Sequence, residues 1–427
     1  MKNVWGRLAT AAIVAGGLSA TALVSPASAG INQGALVSTN PANVTPNVND
    51  GAVYGIAQVG GTMFVGGDFT KVTPAAGGTA VTRRGLVAFN ASTGAISPIA
   101  PVFNGAVNDL VSDGTSVYAA GTFSTVAGVA RRGVVKLNGS TGAVDTAFNA
   151  GLTGNANDLA ISGGRLFVAL DAKTGVRAVS LTTGANSGAV ALTLASTLGS
   201  QAGPVGVSHF AINPQGTRLV AVGNFTSVNG AAHVRAVMLN LGTTATVNPW
   251  YYAGLEKMCQ LPMVPNYLRG VDFSPDGSYF VLIGTGRNPL DGDLGKTICD
   301  AAARFETGNA SPALPTWINY TGGDTILAVN ITDVAVYIQG HFRWLDNAGG
   351  TDGGFGSDPV PAPTAVDRLG IGALNTGSGK ALSWNPGKGR GVGGKVLLTT
   401  AQGLWVGSDT TTIGGETHAR IALLPLP

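Results

Sequence analysis

The sequence predicts an all-β chain built from repeated antiparallel units, and three observations carry that expectation. Glycine supplies 65 of 427 residues, and only 11% of residues are charged. Such a Gly-, Thr- and Val-rich composition suits short strands and tight turns, because Gly and β-branched residues both disfavour helix. The phrase "VYAAGTFSTVAGVARRGVVKLNGSTGAV", Val117 to Val144, returns several times in altered form. The last copy stops at "ARIALLPLP", after its third strand, and the segment from about Ala35 reads like the missing fourth.

The chain opens with Lys2 and Arg7, an apolar run from Leu8 to Val24, and Ala27-Ser28-Ala29. This pattern reads as a secretory signal peptide over 1–29. One domain over 30–427 then follows, since no Pro/Ser linker or charge run divides it. Without Lys2 and Arg7 the 25 basic side chains become 23 against 22 acidic ones. No basic stripe points to nucleic acid. After the leader no apolar run is long enough to span a bilayer. The expected location is extracellular, and the expected state is a monomer.

Each repeat begins with an apolar strand such as "NDLVS" (108–112), followed by the turn Asp113-Gly114. A second strand ends in Gly-x-Phe, as in "VYAAGTF" from Val117. A variable loop leads to a third strand, "RGVVKLN" (132–138), and "GSTG" leads to a fourth, "AVDTAF". The second strand recurs at Met63, Val117, Leu166, Leu219, Tyr279, Val336 and Leu404, which gives seven copies. Phe69, Phe123, Phe225 and Phe342 keep the aromatic and are expected to pack between units. Seven four-stranded sheets stacked radially describe a seven-bladed β-propeller, closed by residues 35–48 adding a strand to the last blade. Closure removes the exposed edges that invite aggregation. A non-closing β-solenoid is the alternative.

The pattern Gly-x-Phe-(Thr/Ser)-x-Val…Arg-Gly-(Val/Leu)-Val-x-(Leu/Phe)-Asn-x-x-Thr-Gly resembles the delta-sixty-type β-propeller repeats of secreted bacterial proteins. The resemblance is close in the first two copies and looser in the rest. It implies a propeller and implies no particular reaction, because that family has no assigned common activity.

In a propeller blade the 2–3 and 4–1 connections share one face. Here they carry the length: 70–82, 248–270, 287–298 and 343–367. Variable loops on a rigid scaffold are where binding usually sits. Cys259 and Cys299 fall in two of these connections and are expected to form a disulfide.

Asp109, Asp158 and Asp272 are read at one shared position of three first strands, facing the central channel with His209. They are candidates for holding Ca²⁺ or a polyol, or for capping backbone amides of the next blade. Trp250, Tyr251, Tyr252, Tyr267 and Trp344 are candidates for a sugar-stacking platform, or for packing the long loops. Arg84, Arg132, Arg177 and Arg235 recur near the third strand, and His233 and His418 each precede an Arg by two residues, so a repeat-structural role is expected for them. The stretches 291–295 and 345–354 look faintly like Ca²⁺ loops but match neither the EF-hand nor the nonapeptide pattern. The expectation is therefore no cofactor and no metal site.

No nucleophile elbow, zinc-protease motif, P-loop or dinucleotide fingerprint is present. The leading expectation is a non-catalytic binding or scaffold module for a glycan, a wall polymer or an exported protein. The first alternative is a glycan hydrolase or lyase with Asp109, Asp158, His209 and Asp272 as acid and base. The second is a purely structural surface protein.

Overall fold

A computed structural model describes residues 33–198, 203–260, 267–308, 311–353 and 358–427. The expected signal peptide, 1–29, lies outside the described residues. The fold is all-β: many small antiparallel sheets, with one 3₁₀ turn at Ala253–Leu255 and no α-helix among the described residues.

Seven of these sheets contain the seven repeated second strands. Sheet 1 is Val53–Val59, Thr62–Gly67 and Leu86–Asn90; sheet 2 is Val107–Ser112, Ser116–Gly121 and Val134–Asn138. Sheet 3 is Ala156–Ser162, Arg165–Leu170 and Val176–Ser180. Sheet 4 is Gly206–Ile212, Arg218–Asn224, Ala236–Asn240 and Thr246–Val247. Sheet 5 is Tyr267–Phe273, Tyr279–Thr285, Ala301–Glu306 and Trp317–Tyr320. Sheet 6 is Ile326–Ile331, Val336–Gly340 and Ile371–Leu374; sheet 7 is Val396–Thr400, Gly403–Gly407 and Ile421–Pro425.

The first strand of each sheet lies against the first strand of the next, and that of sheet 7 lies against that of sheet 1. Buried apolar clusters follow the same order, one between each neighbouring pair. The cluster between sheets 7 and 1 joins Trp405 and Ile421 to Val53, Met63 and Phe89.

The Gly-x-Phe phrase has a steric origin. A Cβ on Gly67, Gly121, Gly223 or Gly340 would stand 1.9, 2.1, 2.1 or 2.2 Å from a backbone carbonyl oxygen at the entrance of its own first strand. No side chain fits there. The Phe two residues on is fully buried against the preceding sheet in all four copies.

Two expectations about strands need revision. A regular fourth strand forms only in sheets 4 and 5. In sheets 1, 2, 3 and 6 it shrinks to one bridge, at Ile96, Val144, Asn186 and Ala381. Just past three of these bridges, the Ser97, Asp145 and Asn186 side chains capture the amides of Ile99, Ala147 and Gly188. Such local bonds compete with the ladder and turn the chain away. The N-terminal segment runs beside sheet 7: Ser38 N–H donates to Pro425 O (2.7 Å) and Ala42 N–H to Leu423 O (2.8 Å). It is irregular before Asn47, where Pro41 and Pro46 supply no N–H, and its one strand, Asn47–Val48, pairs with Lys71–Thr73 and not with sheet 7, so residues 35–48 do not form the expected regular fourth strand there.

The "variable" 2–3 connections are themselves structured. Five of them carry a two-stranded hairpin: Lys71–Thr73 with Val81–Thr82, Thr125–Val126 with Val129–Ala130, Ser227–Val228 with Ala231–Ala232, Trp344–Leu345 with Val366–Asp367, and Thr412–Ile413 with Glu416–Thr417. Positive φ at Ala127-Gly128, Asn229-Gly230 and Gly414-Gly415 makes the tight two-residue turns.

Candidate functional site

Residues of, or just before, all seven first strands line one cavity of about 160 Å³. A β-bulge interrupts the register near the start of the first strand in sheets 1 to 6. The extra residue bends the strand and re-aims side chains. It gives the cavity a rim that includes Tyr54, Asn108, Arg269 and Leu327, and Lys395 joins them from sheet 7, which carries no bulge. The rim lies at the strand ends nearest the 2–3 and 4–1 connections.

Asp109 and Asp158 sit side by side below the rim. Asp109 Oδ2 accepts from Leu159 N–H of the next sheet (2.9 Å), and Asp158 Oδ2 accepts from Phe210 N–H (2.8 Å). The other Asp158 oxygen accepts from Leu159 N–H at 3.0 Å. Burial first, then the charge of Asp158 and a hydrogen bond to it, push the Asp109 carboxyl well above the usual range. His209 continues the row, its Nδ1 3.6 Å from Asp158 Oδ2.

Asp272 repeats the geometry one tier deeper. Its Oδ2 accepts from Ile331 N–H (2.8 Å) and its Oδ1 from Phe273 N–H (2.9 Å), and burial raises its pKa well above the usual range. The pairing register shows why it is not the counterpart of Asp109. Gly270 pairs with Ile283 where Asp109 pairs with Ala120, so Asp272 lies two residues further along the strand. Alternation keeps it on the same face, which is what the sequence pattern picked up. All three carboxyls therefore bind backbone amides of a neighbouring sheet, an arrangement that ties sheets together.

The five candidate aromatics are not brought together. Trp250 and Tyr252 are buried between sheets 4 and 5, their rings 5.4 and 5.1 Å from that of Phe305. Tyr251 donates to Glu256. Tyr267 lies under the Arg269 guanidinium at 4.0 Å, and Trp344 Nε1 donates to Asp367 Oδ1 at 2.8 Å. Long connections need apolar anchors, and Trp250 and Tyr252 serve as two of them.

Cys259 and Cys299 form a disulfide with Cα atoms 5.7 Å apart. It ties the connection entering sheet 5 to the 2–3 connection of the same sheet. Three of the four acids of the two Ca²⁺-like stretches have other partners: Asp293 pairs with Lys257 (2.7 Å), Asp352 with Arg287, and Asp346 accepts from Asn319 Nδ2 at 2.5 Å. Among the described residues no group of three or more His, Cys, Asp or Glu side chains is placed to hold a metal.

The recurring arginines anchor the third strand, one residue earlier than the sequence pattern suggests. Arg83 and Arg131, rather than Arg84 and Arg132, reach fourth-strand carbonyls at Ser97 (3.1 Å) and Thr146 (2.9 Å). His233 and His418 occupy the matching positions, and His418 Nδ1 bonds Thr45 Oγ1 at 3.1 Å. Arg235 and Arg420 stand where other copies have Gly85, Gly133 and Gly370, and they keep its positive φ.

Pattern reading passed over Arg269 and Lys395 in the channel and the charged group beside it. Asp324 is held by Arg343 (2.7 Å) and Arg390 (2.8 Å), and burial pushes Asp300 up to about 7. The available signal was a lone cation inside an apolar strand, as in "YLRGVDF" and "GGKVLLTT".

Compared with known families and curated proteins, the chain matches no family model and no curated protein. Function therefore rests on the geometry.

Proposed function

We propose that this chain is an exported, seven-bladed β-propeller of the delta-sixty repeat type. It acts as a non-catalytic binding module through the face that carries the 2–3 and 4–1 connections. Support for the ring comes from the succession of first-strand contacts that returns from sheet 7 to sheet 1, and from the apolar cluster at that junction. Ser38 and Ala42 bonding to the outer strand of sheet 7 support a closure shared by both chain ends. The leader pattern and the disulfide support export.

One observation carries the choice of face. Among the described residues, seven of the eight exposed large hydrophobics are Val102, Met258, Leu290, Leu294, Val360, Leu369 and Val392, and these seven belong to 2–3 or 4–1 connections, whereas the eighth, Leu314, lies elsewhere. Leu290 and Leu294 flank a groove of about 500 Å³ that reaches Tyr320 and Asn347. One-sided apolar exposure marks an interaction surface. The enzyme alternative is disfavoured by the amide caps on Asp109, Asp158 and Asp272, which occupy the oxygens that acid–base work would need.

Probing the purified protein against immobilised wall polymers, glycans and exported proteins tests the reading. Capture should fall when Leu290, Leu294 and Val360 are changed to Ser and stay constant when Leu314 is. Capture unaffected by the three changes, or turnover of a glycan abolished by Asp109→Asn, would overturn it.

A further inference from the structure

Arg269 and Lys395 enter the channel cavity from sheets 5 and 7. Among the described residues neither has a carboxylate within ion-pair distance. Arg269 donates to the Tyr267 hydroxyl, and its Nε is buried with no partner. Burial lowers the pKa of both cations, and the charge of Arg269 lowers that of Lys395 further.

Asp409 and Asp68, whose charges act on Lys395, do not line the cavity, and their oxygens are turned to other donors. Asp409 accepts from Val392 N–H (2.7 Å) and Gly393 N–H (3.2 Å). Asp68 accepts from Ala52 N–H (2.6 Å) and the Tyr54 hydroxyl (3.0 Å). Asp300, on the Arg269 side, is raised to about 7, so its charge is partial at neutral pH. Across the cavity Asp109 and Asp272 are shifted towards their neutral forms by burial. The cavity lining thus holds two cations without an ion-pair partner, while its three carboxyls each accept from a backbone amide of a neighbouring sheet. Two like charges close together in a partly dry cavity favour an anion between them.

We propose that the channel mouth is an anion site that takes a carboxylate of a uronic-acid sugar between Arg269 and Lys395. The planar guanidinium fork accepts a carboxylate in two-point contact, and the ammonium adds a point charge. A cavity of about 160 Å³ holds roughly five water volumes at about 30 Å³ each, which suits one small acidic unit. Leu327, Ala328 and Val329 give it an apolar wall for the C–H face of a ring. The unit is either a free uronic acid or one residue of a polymer. The site deepens the binding-module reading by naming a ligand class, and it rests on that reading for the ring around the channel.

Titration calorimetry on the whole protein tests this with glucuronic acid, a glucuronate-containing oligosaccharide, glucose and an acidic peptide. Glucuronate should bind and glucose should not. Arg269→Gln and Lys395→Gln should each weaken binding at least tenfold, and added salt should weaken it in the unsubstituted protein. Tighter binding of the oligosaccharide than of the free acid assigns the site to a polymer; equal binding assigns it to the free acid. Failure of both acids to bind, binding of the peptide alone, or binding in both variants as tight as in the unsubstituted protein would overturn the proposal. Should Arg269→Gln fail to fold, Lys395→Gln carries the test. Lost uronate binding with Leu290-dependent polymer capture intact would sink this site alone; the reverse would sink the loop-face reading alone.

Discussion

Removal of the Cys259–Cys299 bridge should cost about 4 kcal/mol. The two residues are 40 apart in sequence, and the chain-entropy relation for a loop of that size gives about 13 cal/mol/K, or about 4 kcal/mol at 25 °C. A chain of roughly 400 residues has an unfolding entropy near 0.8 kcal/mol/K at its midpoint, so the loss corresponds to a fall of about 5 °C. Both sulfurs are buried, so the paired change Cys259→Ser and Cys299→Ser is a cleaner perturbation than a reductant. Scanning calorimetry of the two proteins, with urea unfolding as a second probe, reads the difference. An unchanged midpoint would refute the reasoning, because it would mean that the bridged connections are not ordered as part of the cooperative unit.

Three further outcomes follow from particular contacts. Gly121→Ala should destabilise by roughly 2 kcal/mol or more, since the new methyl would stand 2.1 Å from Ala106 O and the strand entrance must shift; urea midpoints check it. Trp405→Ala should cost about 3–5 kcal/mol by emptying the core between sheets 7 and 1, where its ring lies 5.9 Å from Phe89, and thermal unfolding would register the loss. Burial raises Asp300 from 3.8 to about 7, so the folded state keeps a proton that the unfolded chain releases. Stability from this group is present below about pH 4 and lost as pH rises to about 7, by about 4 kcal/mol in all. Asp300→Asn should flatten that part of the pH profile in urea titrations.

The strong local signals in the sequence were steric or periodic ones. Gly-x-Phe marked the second strands because one atom of side chain is too many at the Gly and a whole ring is needed at the Phe. The two cysteines were placed by their connections alone. Fourth strands were less legible, because a Ser, Asp or Asn that looks compatible with a strand also bonds the amide two residues on. The hairpins in the 2–3 connections were written as Asn229-Gly230 and Gly414-Gly415, flanked by strands only two residues long, too short for a period to show. Register was the hardest quantity. A bulge moves the pairing by one residue, and Asp272 kept the face of Asp109 while changing its tier. Burial of Trp250 and Tyr252 depended on the neighbouring sheet, which no local pattern contains. Arg269 and Lys395 were passed over for the same reason: each is a lone cation until sheets 5 and 7 are seen to line one cavity.

Thiol cross-linking between the first and last sheets tests the circular arrangement most directly. Ser92 and Gln402 are 310 residues apart, and Gln402 Nε2 lies 3.5 Å from Ser92 Oγ while also donating to Ala91 O. With Ser92→Cys and Gln402→Cys, a short bifunctional thiol reagent should join the two positions within single chains in high yield, read by mass spectrometry of the digested protein. Absence of that link in a folded protein would contradict a ring in which sheet 7 meets sheet 1.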